Sequence, residues 1–443
     1  MERFRLYVKR IGAFILFILA MVCVNEALHY ILTDDINSYT RISMHELYEQ
    51  KQIDALFLGS SHSYRSIDTA LTDEIWGINT FNAGTSSQNP VDSYYLLKEA
   101  AKKRHISKVY MEVYYLIQGQ NTEYHSPTAT YIVSDYMKFS PNRLLYIWDS
   151  GGKDYLAHGL ILGRRNWQKL FSPSEILDLV HKKSTASYRN FEYVRAENEE
   201  YAGKGFVRNY EEVKPGTFSS NRSITSISEE AISEYNQKYL NKIIDFCKKE
   251  DIELVFYSSP ISDFQLQAIG NYDSYISQMN EFLEGKNVPY YDFGLSRSSF
   301  LDLDDSCFMV DGHHLNGKGA TIFTQAFASL FGGNEETDTV FWDSYDQKMA
   351  EEEKTVFGVI CLMPKNEAGE IEASIIPVHN MTGPLYFKVT KRNENEEEYV
   401  EYCPFSEETT FVLPAGESGY VHIYVATDIN GENITNDATF YYK

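Results

Sequence analysis

Residues 53–68 read IDALFLGSSHSYRSID. Positions 53–58 form a largely apolar run of strand length, and Gly59 ends it. A short run of this kind fits a strand buried on both faces, as in a parallel sheet covered by helices. Ser60, Ser61 and His62 follow at once. A serine directly after a buried strand and a glycine lies on a turn where backbone amides and a helix N-terminus can face an oxyanion. Gly-x-Ser by itself also fits phosphate loops and ordinary helix caps.

The same alternation continues outward from this stretch. Short apolar segments at 79–82, 108–116 (KVYMEVYYL), 252–257 (IELVFY) and 289–293 supply four more strands. Helical patterns occupy 90–103, 226–249, 264–283 and 319–330. The second of these opens with Ser226-x-x-Glu229, a capping-box match, and sets Ile232, Tyr239, Ile243, Ile244 and Cys247 on one face. Strands alternating with helices predict a parallel sheet covered on both faces. Residues 119–225 are too long for one crossover and read as an inserted, mostly helical cap, which can shape a cleft or simply pack. Beyond residue 331 an acidic linker leads into six short β-branched and aromatic segments at 356–362, 371–378, 385–391, 409–413, 420–428 and 439–443. Separated by Gly, Pro and Asn turns, they predict a small antiparallel β-sandwich.

The 443 residues include 63 acidic and 40 basic side chains, a formal net charge of −23. With 43% hydrophobic and 14% aromatic residues, wholesale disorder is excluded. The acidity argues against nucleic acid, whose phosphates need a basic surface. The charge is uneven: residues 335–443 hold 22 acidic and 7 basic residues, whereas Arg3, Arg5, Lys9 and Arg10 make the first ten basic. Residues 11–24 then form an uncharged apolar run. It is shorter than the ~20 residues of a spanning helix, but it extends over 6–8 and over 27–32 if Lys9, Arg10 and Glu26 snorkel. A cleaved signal peptide fits this pattern too. No small-x-small site follows the run, which favours an uncleaved signal anchor. The positive-inside rule puts the N-terminus in the cytoplasm and the main domains outside. The expected organisation is a transmembrane anchor over 1–33, an α/β domain over 34–334 interrupted at 119–225, and the sandwich over 350–443. Five cysteines form no metal spacing; Cys361 and Cys403 can pair if the compartment is oxidising.

Two further motifs fall at strand ends. After the second strand stands Asn82-Ala83-Gly84, where Gly84 can bring its backbone N–H to an oxyanion or simply serve a turn. After the fifth strand stands Asp311-Gly312-His313-His314-Leu315-Asn316. Asp311 can fix the tautomer of His314, and His314 can act as general base toward Ser61. Alone, an Asp-x-x-His is commonly a surface turn. Here it falls, with Ser61 and Gly84, at carboxyl ends of successive strands, where α/β sheets bind ligands.

At these residues the chain resembles the SGNH (GDSL-like) hydrolase superfamily over about 50–332. Gly59-Ser60-Ser61 aligns with the nucleophile block, Gly84 with the oxyanion glycine, and Asp311 with His314 with the Asp-x-x-His block. The resemblance implies a three-layer α/β/α fold and acyl-ester chemistry without a cofactor. The Gly-x-Asn-Asp block is absent; Met111-Glu112-Val113-Tyr114-Tyr115 stands in its place. That leaves the third oxyanion donor to Tyr114, Tyr115 or Gln88. The chain is also similar to anchored envelope members, the alginate acetylation proteins and the D-alanine transfer protein of teichoic acid synthesis. That similarity implies a cell-envelope glycan substrate and a membrane-bound O-acyltransferase partner. The rival expectation is a degenerate domain that scaffolds an export or modification complex. His313 is the alternative base. His62 is expected to point away and either to line the cleft or to support the residues that do; Arg65 can contact an anionic substrate, though a surface salt bridge is its commoner role. The adjacent His313 and His314 cannot easily share one ion, so no metal is expected.

Overall fold

A computed structural model describes residues 2–114, 116, 127–159, 165–192, 197–230, 232–333 and 337–443. Tyr115 and parts of the insertion lie outside the described residues.

All five expected strands form one parallel sheet: β1 (Ala55–Leu58), β2 (Thr80–Asn82), β3 (Lys108–Glu112), then Glu253–Ser258 and Tyr290–Asp292. The spatial order is β2, β1, β3, Glu253–Ser258, Tyr290–Asp292. Alternate side chains serve two cores. Leu56, Leu58, Val109 and Met111 join one apolar cluster with Leu47, Leu96, Tyr239 and Met279. Ala55, Phe57 and Tyr110 join another with Phe323, Phe327 and Leu330. Burial on both faces explains why these strands show no polar alternation, and the result is the three-layer α/β/α arrangement.

The helices follow the sequence with two corrections. Pro90–Ala101 starts at the N-cap Asn89 with a complete capping box through Asp92. The helix expected from 226 begins at Glu234, because Ser233 accepts from the Asn236 amide and is the cap actually used. The helix expected over 264–283 is two, Asp273–Leu283 preceded by Asp263–Ile269, broken at Gly270 with φ 78°.

The insertion is helical in its first part (Pro127–Ser134, Pro141–Ala157, Pro173–Ser184). It then forms an unexpected hairpin, β4 (Glu199–Gly203) with β5 (Phe206–Asn209). The hairpin turn docks on β2, where the Asn82 amide donates to Lys204 O at 2.9 Å. A two-residue strand, Ser219–Ser220, pairs parallel with Val356–Leu362 of the C-terminal region.

The C-terminal region holds two four-stranded sheets. Seven strands lie within it rather than six. Val400–Ser406, unexpected from sequence, pairs with Tyr386–Asn393 as an edge strand. Its acidic, Pro-containing sequence (VEYCPFS) hides the strand pattern, and edges tolerate both features. Cys361 and Cys403 are unbridged.

Candidate active site

The sheet's carboxyl edge builds the site. Gly59 has φ 139°, and a Cβ there would lie 2.6 Å from Glu112 Cβ. Only glycine lets the chain cross the end of β3 so closely. Beyond it, Ser60 N and Oγ donate to Glu112 Oε2 at 3.4 and 3.1 Å, and Ser60 Oγ accepts from the His62 amide. Ser60 thereby caps the single-turn helix Ser61–Tyr64, and Ser61 becomes its first residue.

The opposing turn is held as firmly. Asp311 Oδ1 accepts the amides of His313 and His314, both at 3.0 Å. Gly312, at φ 73°, donates to Met309 O and accepts from the Ser262 amide. Asn316 caps the helix Gly317–Phe331, and its Nδ2 donates to Ser306 O at 2.7 Å and Glu211 O at 2.8 Å.

These two turns bring together residues 253 positions apart. His314 Nε2 lies 2.7 Å from Ser61 Oγ, and His314 Nδ1 lies 2.8 Å from Asp311 Oδ2. Burial works to raise the Asp311 carboxyl, but the hydrogen bond from His314 and the charges of both histidines hold it well below the carboxylate range. An ionised Asp311 accepts a hydrogen bond from Nδ1–H, fixing that tautomer and leaving the Nε2 lone pair to accept from the serine hydroxyl.

His62 corrects an expectation, since it points inward. It is buried, with Nδ1 3.2 Å from Ser60 Oγ and Nε2 3.1 Å from His313 Nδ1. Its ring stacks on that of His314 at 4.4 Å between centroids. Burial and the two neighbouring imidazoles push its pKa well down, and burial with His314 lowers His313 to about 4. Sequence separation concealed a trio: ligand nitrogens of His62, His313 and His314 lie within 4.8 Å of one another. The His62 and His314 planes are within 20°, so their in-plane lone pairs run side by side instead of converging on one ion.

The other candidates divide. Gly84 does not offer its amide, which donates to Asn82 Oδ1 at 2.9 Å. Asn82 folds back on itself as an Asx turn, and Gly84 instead gives clearance to the Ser60 loop: a Cβ would lie 3.2 Å from Ser60 O. Gln88 is likewise spent on its own loop, with Oε1 accepting from Thr85 Oγ1 and Nε2 donating to Ser93 Oγ, both at 3.0 Å. Tyr114 does reach the site, its ring packed on His62 at 4.0 Å. Arg65 pairs with Glu199 of the hairpin at 2.8 Å, the expected salt bridge, though mostly buried. Sequence reasoning missed Glu112. It is buried beneath the Ser60–Ser61 turn, and burial raises its pKa to about 7 against the hydrogen bonds it accepts from Tyr114, Ser60 and Ser259. An acidic residue ending an apolar strand was the available signal.

No protein-family model and no curated protein matches the chain. Two solved structures are similar in outline. One is a GDSL-like lipase from Bacteroides thetaiotaomicron VPI-5482, 8% identical, with a TM-score of 0.29, covering 67% of this chain and 99% of its own. The other, assigned as an acylhydrolase, is from Bacteroides fragilis NCTC 9343, 8% identical, with a TM-score of 0.30, covering 68% and 99%. Superposition that loose carries no functional weight; the geometry of Ser61, His314 and Asp311 does.

Proposed function

We propose that the protein is a serine esterase or O-acyltransferase acting outside the membrane on acylated cell-envelope polysaccharide. The observation that carries this reading is the unbroken hydrogen-bonded line from Ser61 Oγ through His314 to Asp311. In the first half-reaction Ser61 Oγ attacks the ester carbonyl while His314 Nε2 takes its proton. The Ser61 amide, at the helix start and with no protein acceptor among the described residues, supplies the N–H that holds the oxyanion. Collapse of the tetrahedral intermediate breaks the ester C–O bond, and the leaving alcohol takes the proton back from His314. Water or a sugar hydroxyl then attacks the acyl-serine by the same route in reverse. The apolar helix α1 (Glu2–Leu32) is long enough to cross a membrane. With its basic start it supports anchoring with the site on the outer side; a membrane-bound O-acyltransferase as acyl donor is part of the same proposal.

One observation favours a second reading, a non-catalytic scaffold or glycan-binding component. The amide of Gly84 and the side chain of Gln88 are already committed, and a missing oxyanion donor costs about 3–4 kcal/mol of transition-state stabilisation. Labelling by a fluorophosphonate, with turnover of an aryl acetate, separates the two. Ser61→Ala and His314→Ala should abolish both signals. Labelling that survives Ser61→Ala removes the nucleophile assignment, and absence of labelling and turnover in the parent protein selects the scaffold.

A further inference from the structure

The outer end of α1 has a covered face. Asn25, Leu28, His29 and Leu32 recur at helical spacing and are partly or fully buried, while Val24, Ala27 and Tyr30 stay exposed. What covers them is the insertion. Arg165 Nη2 donates to Asn25 O and Oδ1 at 3.0 and 2.6 Å. The Asn166 amide donates to Leu32 O at 3.1 Å. Lys183, itself buried, donates to Tyr30 O and Thr33 O at 2.9 and 2.6 Å and pairs with Asp35 at 2.8 Å. The 3₁₀ turn Trp167–Phe171 and the helix Pro173–Ser184 are thus fastened to the last two turns of the apolar helix.

This fastened segment turns apolar side chains outward. Trp167, Leu170, Phe171 and Leu177 are 36, 47, 90 and 70% exposed. A cluster of that kind marks a partner surface, and its position selects the partner. The uncharged run 11–24 has 14 residues, about 21 Å of helix, against a hydrocarbon layer of about 30 Å. Hydrocarbon that begins at residue 11 therefore extends to about residue 30. The covered stripe and its clamp then sit at the outer acyl–headgroup boundary, the layer that favours Trp and Phe.

We propose that Trp167–Phe171 and Pro173–Ser184 form an interfacial foot whose occupant is the outer leaflet of the bilayer. The foot rests on the reading of α1 as a membrane span. It completes a short hydrophobic span from the side and sets how the outer domains stand on the membrane.

The test uses the full chain in vesicles of phosphatidylcholine brominated along its acyl chains. A tryptophan-free background, with Trp76, Trp148, Trp167 and Trp342 all replaced by Phe, receives Phe171→Trp, Leu177→Trp or, in a turn of the C-terminal sheets, Ile429→Trp. Tryptophan at 171 and at 177 should emit to the blue and lose intensity to bromolipid but not to aqueous iodide; tryptophan at 429 should do the reverse. Carbonate washing reports α1 separately. Retention through the wash with position 171 quenched by iodide alone overturns the foot and leaves the span. Position 171 shielded from both quenchers overturns lipid as occupant in favour of a protein. Release of every variant by carbonate overturns the span reading and the foot with it.

Discussion

Glu112→Gln tests the least visible part of the site. Glu112 is fully buried at the end of β3, and its carboxyl accepts from Ser60 N, Ser60 Oγ and the Tyr114 amide. Burial raises its pKa from 4.5 to about 7. At 1.36 kcal/mol per unit, that difference is worth about 3 kcal/mol of pH-dependent stability. The folded state binds this proton more tightly than the unfolded state does. The contribution is therefore fully present below about pH 4.5 and is lost as pH rises through about 7. Glutamine carries no charge at any pH, so the variant lacks this loss. It carries a separate, pH-independent cost of about 1–3 kcal/mol, because one side-chain N–H now faces a backbone donor. Denaturant unfolding of the full chain in detergent, followed by circular dichroism from pH 5 to 8, reads both effects. The parent should be the more stable protein at pH 5, and its advantage should shrink by about 2–3 kcal/mol by pH 8. A stability difference that does not change with pH would refute a carboxyl held partly protonated under the Ser60–Ser61 turn.

Three further outcomes are expected. Asp311→Asn keeps an acceptor for the His313 and His314 amides but turns an N–H toward His314 Nδ1, moving the imidazole proton to Nε2. Aryl acetate kcat should fall by about 10⁴-fold with little change in KM. Gly205→Ala should cost about 2–3 kcal/mol in unfolding, because φ is 86° and the new Cβ would meet Asn82 O at 1.7 Å. Lys183→Met should cost about 3–5 kcal/mol by leaving the buried Asp35 without its cation, with only the Tyr188 hydroxyl, among the described residues, donating to its carboxylate, and Asp35→Leu added to it should restore part of that loss.

The sheet was legible because its strands are buried on both faces and so read as short apolar runs. The order of Ser61, Gly84 and Asp311-x-x-His314 along those strands pointed to the meeting of Ser61, His314 and Asp311. Helix starts were read less well. Ser226 and Ser233 both match a cap, and tertiary contacts choose between them: Asn271 and Gln278 take up the backbone of Ile227 and Ser228, and the helix starts after Ser233. The edge strand Val400–Ser406 and the hairpin Glu199–Asn209 stayed hidden, since polar residues at an edge or in a docked turn follow their neighbours instead of a period.

By itself, then, the sequence determined the parallel sheet, the apolar N-terminal helix, and the residue types that meet at Ser61, because local periodicity and strand-end position are one-dimensional signals. Tertiary structure alone decided the direction of each side chain. It turned His62 inward against His314, buried Glu112 under Ser60, and spent the Gly84 amide on Asn82. It also clamped residues 165–183 around the end of α1. Hydrogen-bond partners and burial depend on chain segments far apart in sequence, and no spacing rule carries that information.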